Sequence, residues 1–237
     1  MNKVCDFFKK IKWYEYLFIV IIFALMITIS IIFESSVAIV FNSLIGVIYA
    51  CSSAKGFVFA NIFGMMQMIL YSIISFENQY YGEIFICAFK FVISFVTLVL
   101  WFKNKSKNSA IVKVGKPLGW QEWLIMLLSV AGLSVGFYFV LGLLNTESLI
   151  VSTISLASSA CAGYLMARRS EYGFVFHILN NIIRFVLWLM IVLGGQLNYL
   201  PTLLNYLIFL SINLIGLVNW IKMRKQQKVE QEVKIET

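Results

Sequence analysis

Four residues, His177, Asn181, Arg184 and Trp188, follow one another at spacings of four, three and four. On a helix this sets an imidazole, an amide, a guanidinium and an indole along one face, with Asn180 beside them. Five further segments carry comparable faces: Asn42, Gly46, Tyr49 and Ser53; Ala60, Gly64, Gln67 and Tyr71; Lys90, Ser94, Thr97 and Trp101; Ser155, Ser159, Gly163 and Met166; and Asn205, Asn213, Gly216 and Trp220. Amides interleaved with aromatic rings offer π surfaces together with donors and acceptors, which is what holding a flat, hydrogen-bonding heterocycle requires. The same residue types also glue helices together, since small side chains let backbones approach and amides bond across interfaces. Bond-making chemistry is not indicated. One His, four cysteines (Cys5, Cys51, Cys87, Cys161) without a CxxC pair and no phosphate-binding glycine loop supply neither a nucleophile with its base, nor a metal site, nor an ATPase. No cofactor or metal is expected, and the chain is not expected to be an enzyme.

These groups sit in segments too apolar for water. Apolar residues make up 61% of the 237 positions and the mean hydropathy is +0.88, against about 45–50% apolar in soluble domains. Apolar runs at about 17–33, 37–53, 57–76, 84–102, 122–142, 148–166, 173–193 and 200–221 are each long enough to cross a hydrocarbon core at about 20 residues per crossing. The expected fold is an all-α membrane protein of eight transmembrane helices. Residues 1–16 form a cytoplasmic N-terminus, 17–221 the transmembrane domain and 222–237 a cytoplasmic tail. The first run lacks a small-residue cleavage site and is expected to stay as a helix. The closing QQKVEQEVKIET is expected to be a frayed or disordered tail.

The loops test this layout. Of the 19 Lys and Arg, all but Lys90 and Arg184 fall at the N-terminus, in alternate loops or in the tail, while the other loops carry Glu34, Glu77, Glu83 and Glu147. By the positive-inside rule both termini lie in the cytoplasm, in a bacterial inner membrane. The net charge of +8 thus follows membrane ends, and the lipid bilayer rather than nucleic acid is its partner.

Two charges do not fit the loops. Arg184 falls near the middle of its helix, where an unpaired charge costs at least about 2.5–3.5 kcal/mol. Lys90 lies about two turns below the outer end of its own helix, close enough to snorkel. No carboxylate is expected near Arg184, which would then bond to helix carbonyls, to Asn181, or to a phosphate, carboxylate or carbonyl of a solute. Without an intramembrane acid, His177 is the lone conventional proton relay, so uncoupled facilitated diffusion is expected.

The sequence also repeats itself. Gly-Phe-Val-Phe occurs at 56–59 and at 173–176, and the same offset places Gly46 on Gly163, Gln67 on Arg184 and Tyr71 on Trp188. With two residues inserted, Leu98 to Lys103 falls on Leu217 to Lys222, and Trp13-x-Glu15-Tyr16-Leu17 matches Trp120-x-Glu122-Trp123-Leu124. A four-helix unit returns its second copy to the same orientation, so the repeats, at about 37–103 and 148–222, are parallel.

The Trp-x-Glu-aromatic segments, Ser53-Ala54-Lys55-Gly56, Tyr81-Gly82-Glu83, Asn205-Tyr206 and the stretch from Gly216 to Trp220 with its basic tail resemble the PnuC family of vitamin transporters. The likeness runs through residues 12–225. It implies two parallel three-helix bundles, joined by a linker helix at about 122–142 and preceded by an extra N-terminal helix, an arrangement similar to the SWEET sugar facilitators. It also implies uptake of nicotinamide riboside, or of thiamine, riboflavin or a deoxynucleoside, trapped by a cytoplasmic kinase. Nicotinamide riboside members have a Trp-x-x-Trp run entering helix 7, where this chain has Gly173 and Phe176, so its stacking cage is altered. The candidate binding set is Asn42, Tyr49, Gln67, Tyr71, Lys90, Phe176, His177, Asn180, Asn181, Arg184, Trp188, Asn205 and Asn213. A homo-oligomer and a non-transporting scaffold are the other readings the sequence leaves open.

Overall fold

A segment with no water around it must satisfy its own backbone, which an α-helix does internally. The computed structural model describes residues 13–34, 36–77, 81–106, 109–144 and 149–236. Among them run eight α-helices: α1 (Trp13–Ile32), α2 (Val37–Ala54), α3 (Ala60–Glu77), α4 (Tyr81–Lys103), α5 (Trp120–Leu143), α6 (Leu149–Ala167), α7 (Tyr172–Leu193) and α8 (Leu200–Glu236), with a 3-10 turn at Leu197–Tyr199. Six are long and apolar enough to cross a membrane; α1 and α3 contribute shorter apolar stretches, Ile19–Ile32 and Ala60–Phe76. Lys3, Lys9, Lys10, Lys12, Cys5 and Glu147 lie outside the described residues.

Two boundaries differ from the sequence expectation for physical reasons. Helix α3 starts at Ala60 rather than near 57 because Gly56, at φ +68°, turns the chain and Phe57 pairs with Ile111 instead. A positive φ of this kind suits a residue without Cβ. The tail is not frayed: α8 continues to Glu236. Its polar residues are mostly good helix formers, and they extend a helix already nucleated. Gln227 Oε1 accepts from the Val114 amide at 3.1 Å, and Arg224 pairs with Glu171 at 2.6 Å.

Six helices close a ring. Neighbours around it are α2, α3, α4, α6, α7 and α8, with α8 returning to α2. Helix α1 packs on α2 and α8, its Ile22 and Met26 joining Val47 and Ile212. Helix α5 packs on α6, with Leu141 clustered between Ile86 of α4 and Leu156 of α6. The α4–α6 and α2–α8 seams are bolted alike. Trp101 donates its indole N–H to the Met166 carbonyl at 2.7 Å, and Trp220 donates to the Ser53 carbonyl at 3.1 Å. The two rings meet with centroids 5.4 Å apart, and both residues are 0% exposed. At this end of the ring, residues 104–106 and 109–119 form a strap. Val58 N donates to Ala110 O, Val112 N to Gly56 O and Gly115 N to Arg169 O, so the strap is bonded to both the α2–α3 and α6–α7 loops.

Candidate functional site

The ring surrounds a cavity with about 190 Å³ open to a water-sized sphere. Asn42 and Tyr49 reach it from α2, Gln67 and Tyr71 from α3, Lys90 from α4, His177, Asn180, Asn181, Arg184 and Trp188 from α7, and Asn205 and Asn213 from α8. Helical spacing of three and four residues puts each group on the inward face of its helix. Close approach is helped by Gly46, where a Cβ would collide with the Gln67 amide and the Phe209 ring. Phe176 is the exception in the candidate set. It packs against Met126 of α5 and Cys161 and Leu165 of α6, outside the cavity lining. Phe174, two residues earlier, is buried in the apolar core, its ring 5.6 Å from that of Trp220 and 6.4 Å from that of His177.

Arg184 is 7% exposed and well partnered. Its Nε donates to Ser155 Oγ at 3.0 Å, one Nη to the Tyr206 hydroxyl at 3.3 Å, and the other lies 3.6 Å from Glu83 Oε2. Ser155 in turn donates to Asn180 Oδ1 at 2.7 Å, and Ser158 donates to the same oxygen at 3.2 Å. This corrects the expectation that no carboxylate lies near Arg184. Glu83 is not a loop residue but sits in the first turn of α4. From there it faces inward, because it stands seven residues, two helical turns, before Lys90. Among the described residues, Arg184 bonds neither to helix carbonyls nor to Asn181.

Glu83 and Tyr206 were legible in the sequence only as parts of short motifs. Asn61 was missed outright, although its spacing to Gly64, Met68 and Tyr71 is that of a single helix face, and all four line the cavity. Tyr199, whose ring lies 5.2 Å from that of Trp188, arrives from the 3-10 turn, where no helical period could announce it.

Several inward polar atoms have no hydrogen-bond partner among the described residues: Asn42 Oδ1, Asn61 Nδ2, Thr97 Oγ1, Asn181 Nδ2, Trp188 Nε1 and Asn205 Oδ1. Buried donors and acceptors are ordinarily paired. A cavity edged by unpaired ones is set to exchange hydrogen bonds with something that enters it.

A family model described as nicotinamide mononucleotide transporter matches residues 36–222. The nicotinamide riboside transporter PnuC of Neisseria mucosa is 27% identical over 187 residues, which cover 76% of this chain and 70% of that protein. The crystal structure of the vitamin B3 transporter PnuC shares the fold with a TM-score of 0.78 at 21% sequence identity, over 91% of this chain and 94% of its own.

Proposed function

The chain belongs to the nicotinamide mononucleotide transporter family, whose PnuC members are transporters and not enzymes, and from that premise we propose that it takes up a small heterocyclic vitamin or nucleoside through the central cavity. The observation that carries this reading is the set of unpaired donors and acceptors lining that cavity, interleaved with Tyr49, Tyr71 and Trp188 as stacking surfaces. Nicotinamide riboside, the cargo in the Neisseria relative's name, comes first among candidates; thiamine and deoxynucleosides follow.

All eight helices cross the membrane in this proposal, with both termini in the cytoplasm. Helices α2–α4 and α6–α8 act as parallel three-helix bundles that rock about the cavity, and α1 and α5 brace the two seams. Transport is uncoupled. Among the described residues Glu83 is the one acid lining the cavity, and its carboxylate is engaged with Arg184 at 3.6 Å. Net uptake then depends on a cytoplasmic kinase that phosphorylates the cargo. Isotope uptake into cells lacking their own vitamin transporters tests the reading. Saturable uptake of one of these solutes is expected, whereas a scaffold would give none.

A further inference from the structure

Among the described residues, one ion pair joins the two proposed bundles. Glu83 stands in the first turn of α4 and Arg184 midway along α7, with one Arg184 Nη 3.6 Å from Glu83 Oε2. Arg184 is moored within its own bundle by Ser155 of α6 and Tyr206 of α8. Its reach to Glu83 is therefore the part of its bonding that a separation of the bundles breaks. Lys90 shares α4 with Glu83, so the electrostatic interaction between them stays within one bundle.

The two ends of the ring are held differently. At the strapped end both seams carry indole bonds to backbone carbonyls, and the strap spans both bundles. Toward the opposite end, which the proposed topology turns outward, α4 meets α5 and α6 through the apolar cluster of Ile86, Leu141 and Leu156. Such side chains gain little by leaving lipid for one another, which leaves the ion pair to tie the bundles there. The pair is also suited to part. At 3.6 Å it is longer than a hydrogen bond, and Glu83 Oε2 accepts none among the described residues. Desolvation and attraction nearly cancel in a buried pair, and water entering a parted mouth hydrates both ions. The first turn of a helix favours the carboxylate's charge after Arg184 has moved away.

Resting on the reading that the two bundles rock about this cavity, we propose that Glu83 and Arg184 form the latch of the outer mouth, made in this structure and broken each time the cavity opens away from the strap. Cys87 reports on it. It lines the cavity one helical turn inward from Glu83 and is 2% exposed, so a thiol reagent reaches it from outside when the mouth opens. Cys161, buried against Met126 and Leu165 off the cavity, is the control.

Intact cells are treated with an uncharged, membrane-impermeant methanethiosulfonate sugar, and modification of each cysteine is followed by mass spectrometry. Glu83→Asp keeps the charge that compensates Arg184 and withdraws it by about 1.5 Å, so this variant should fold even where Glu83→Gln does not. Glu83→Asp is expected to speed modification of Cys87 at least about fivefold, and Glu83→Gln further, with Cys161 unchanged in both. An unchanged rate at Cys87 in Glu83→Asp, equal acceleration at Cys161, or acceleration only when the reagent meets the cytoplasmic face of inside-out vesicles overturns the latch. The transport reading fails separately. Saturable uptake by the wild type with Cys87 unmoved in the variants sinks the latch alone, and faster Cys87 modification with no uptake by the wild type sinks the transport reading alone.

Discussion

A guanidinium at membrane depth needs its donors answered, and Arg184 meets this with a hydroxyl from α6, a phenol from α8 and a carboxylate from α4. Three helices other than its own are thereby fixed on one side chain. Breaking a buried pair by removing one member leaves the other charge uncompensated, at about 3–5 kcal/mol. Arg184→Leu should therefore lower the yield of folded protein and abolish uptake. Adding Glu83→Gln to Arg184→Leu should restore yield, measured as monodisperse protein in detergent, and leave uptake absent. Recovery of uptake in the double variant would show that Arg184 serves structure alone. At this scale the sequence was informative wherever helical period carried the signal. His177, Asn181, Arg184 and Trp188 share a cavity because their spacing leaves them no other face. It was uninformative at Glu83, whose place near a helix end reads as a loop, and at Phe176, which lies off the face shared by His177, Asn181, Arg184 and Trp188 and packs between α5 and α6.

Within helices, small residues and tryptophans set how closely the elements meet. Apolar side chains gain little by leaving lipid for one another, so packing and interhelical hydrogen bonds hold such a bundle together. Trp101 and Trp220 supply both, each bonding a backbone carbonyl across one of the two seams and packing against its counterpart at a 44° tilt. Trp101→Phe keeps most of the ring and loses the bond to the Met166 carbonyl, a cost of about 1 kcal/mol. Trp101→Ala leaves a cavity as well and should cost about 3–5 kcal/mol. Unfolding in detergent checks the order; equal losses would mean that the bond, not the packing, carries the contribution. The internal repeat made this pairing legible, since it aligns Trp101 with Trp220. The extended end of α8 was not legible. Its tail is mostly polar, with no apolar run to mark a helix, and the contacts of Arg224 and Gln227 come from loops distant in sequence.

The whole molecule is a ring with a strapped end and a polar interior. The strap bonds the α2–α3 loop to the α6–α7 loop, and the buried Trp101 and Trp220 lie toward the same end, bonded to Ser53 and Met166 of the cavity lining. In the proposed transport cycle, a solute leaving toward that end parts the seams there, as rocking of the two proposed bundles would do. Eight apolar runs and the duplication could be read from sequence. The order of helices around the ring could not, because it depends on which faces meet across the α4–α6 and α2–α8 seams. The central claim, an uncoupled path through the cavity, is tested most directly by solute counterflow in proteoliposomes. Vesicles are preloaded with unlabelled solute and given the labelled one, with no ion gradient. The account predicts transient accumulation of label by the wild type and none by Asn181→Leu, which removes an amide whose Nδ2 has no partner among the described residues. Flux that appears only with a proton or sodium gradient, or counterflow undiminished in Asn181→Leu, would contradict it.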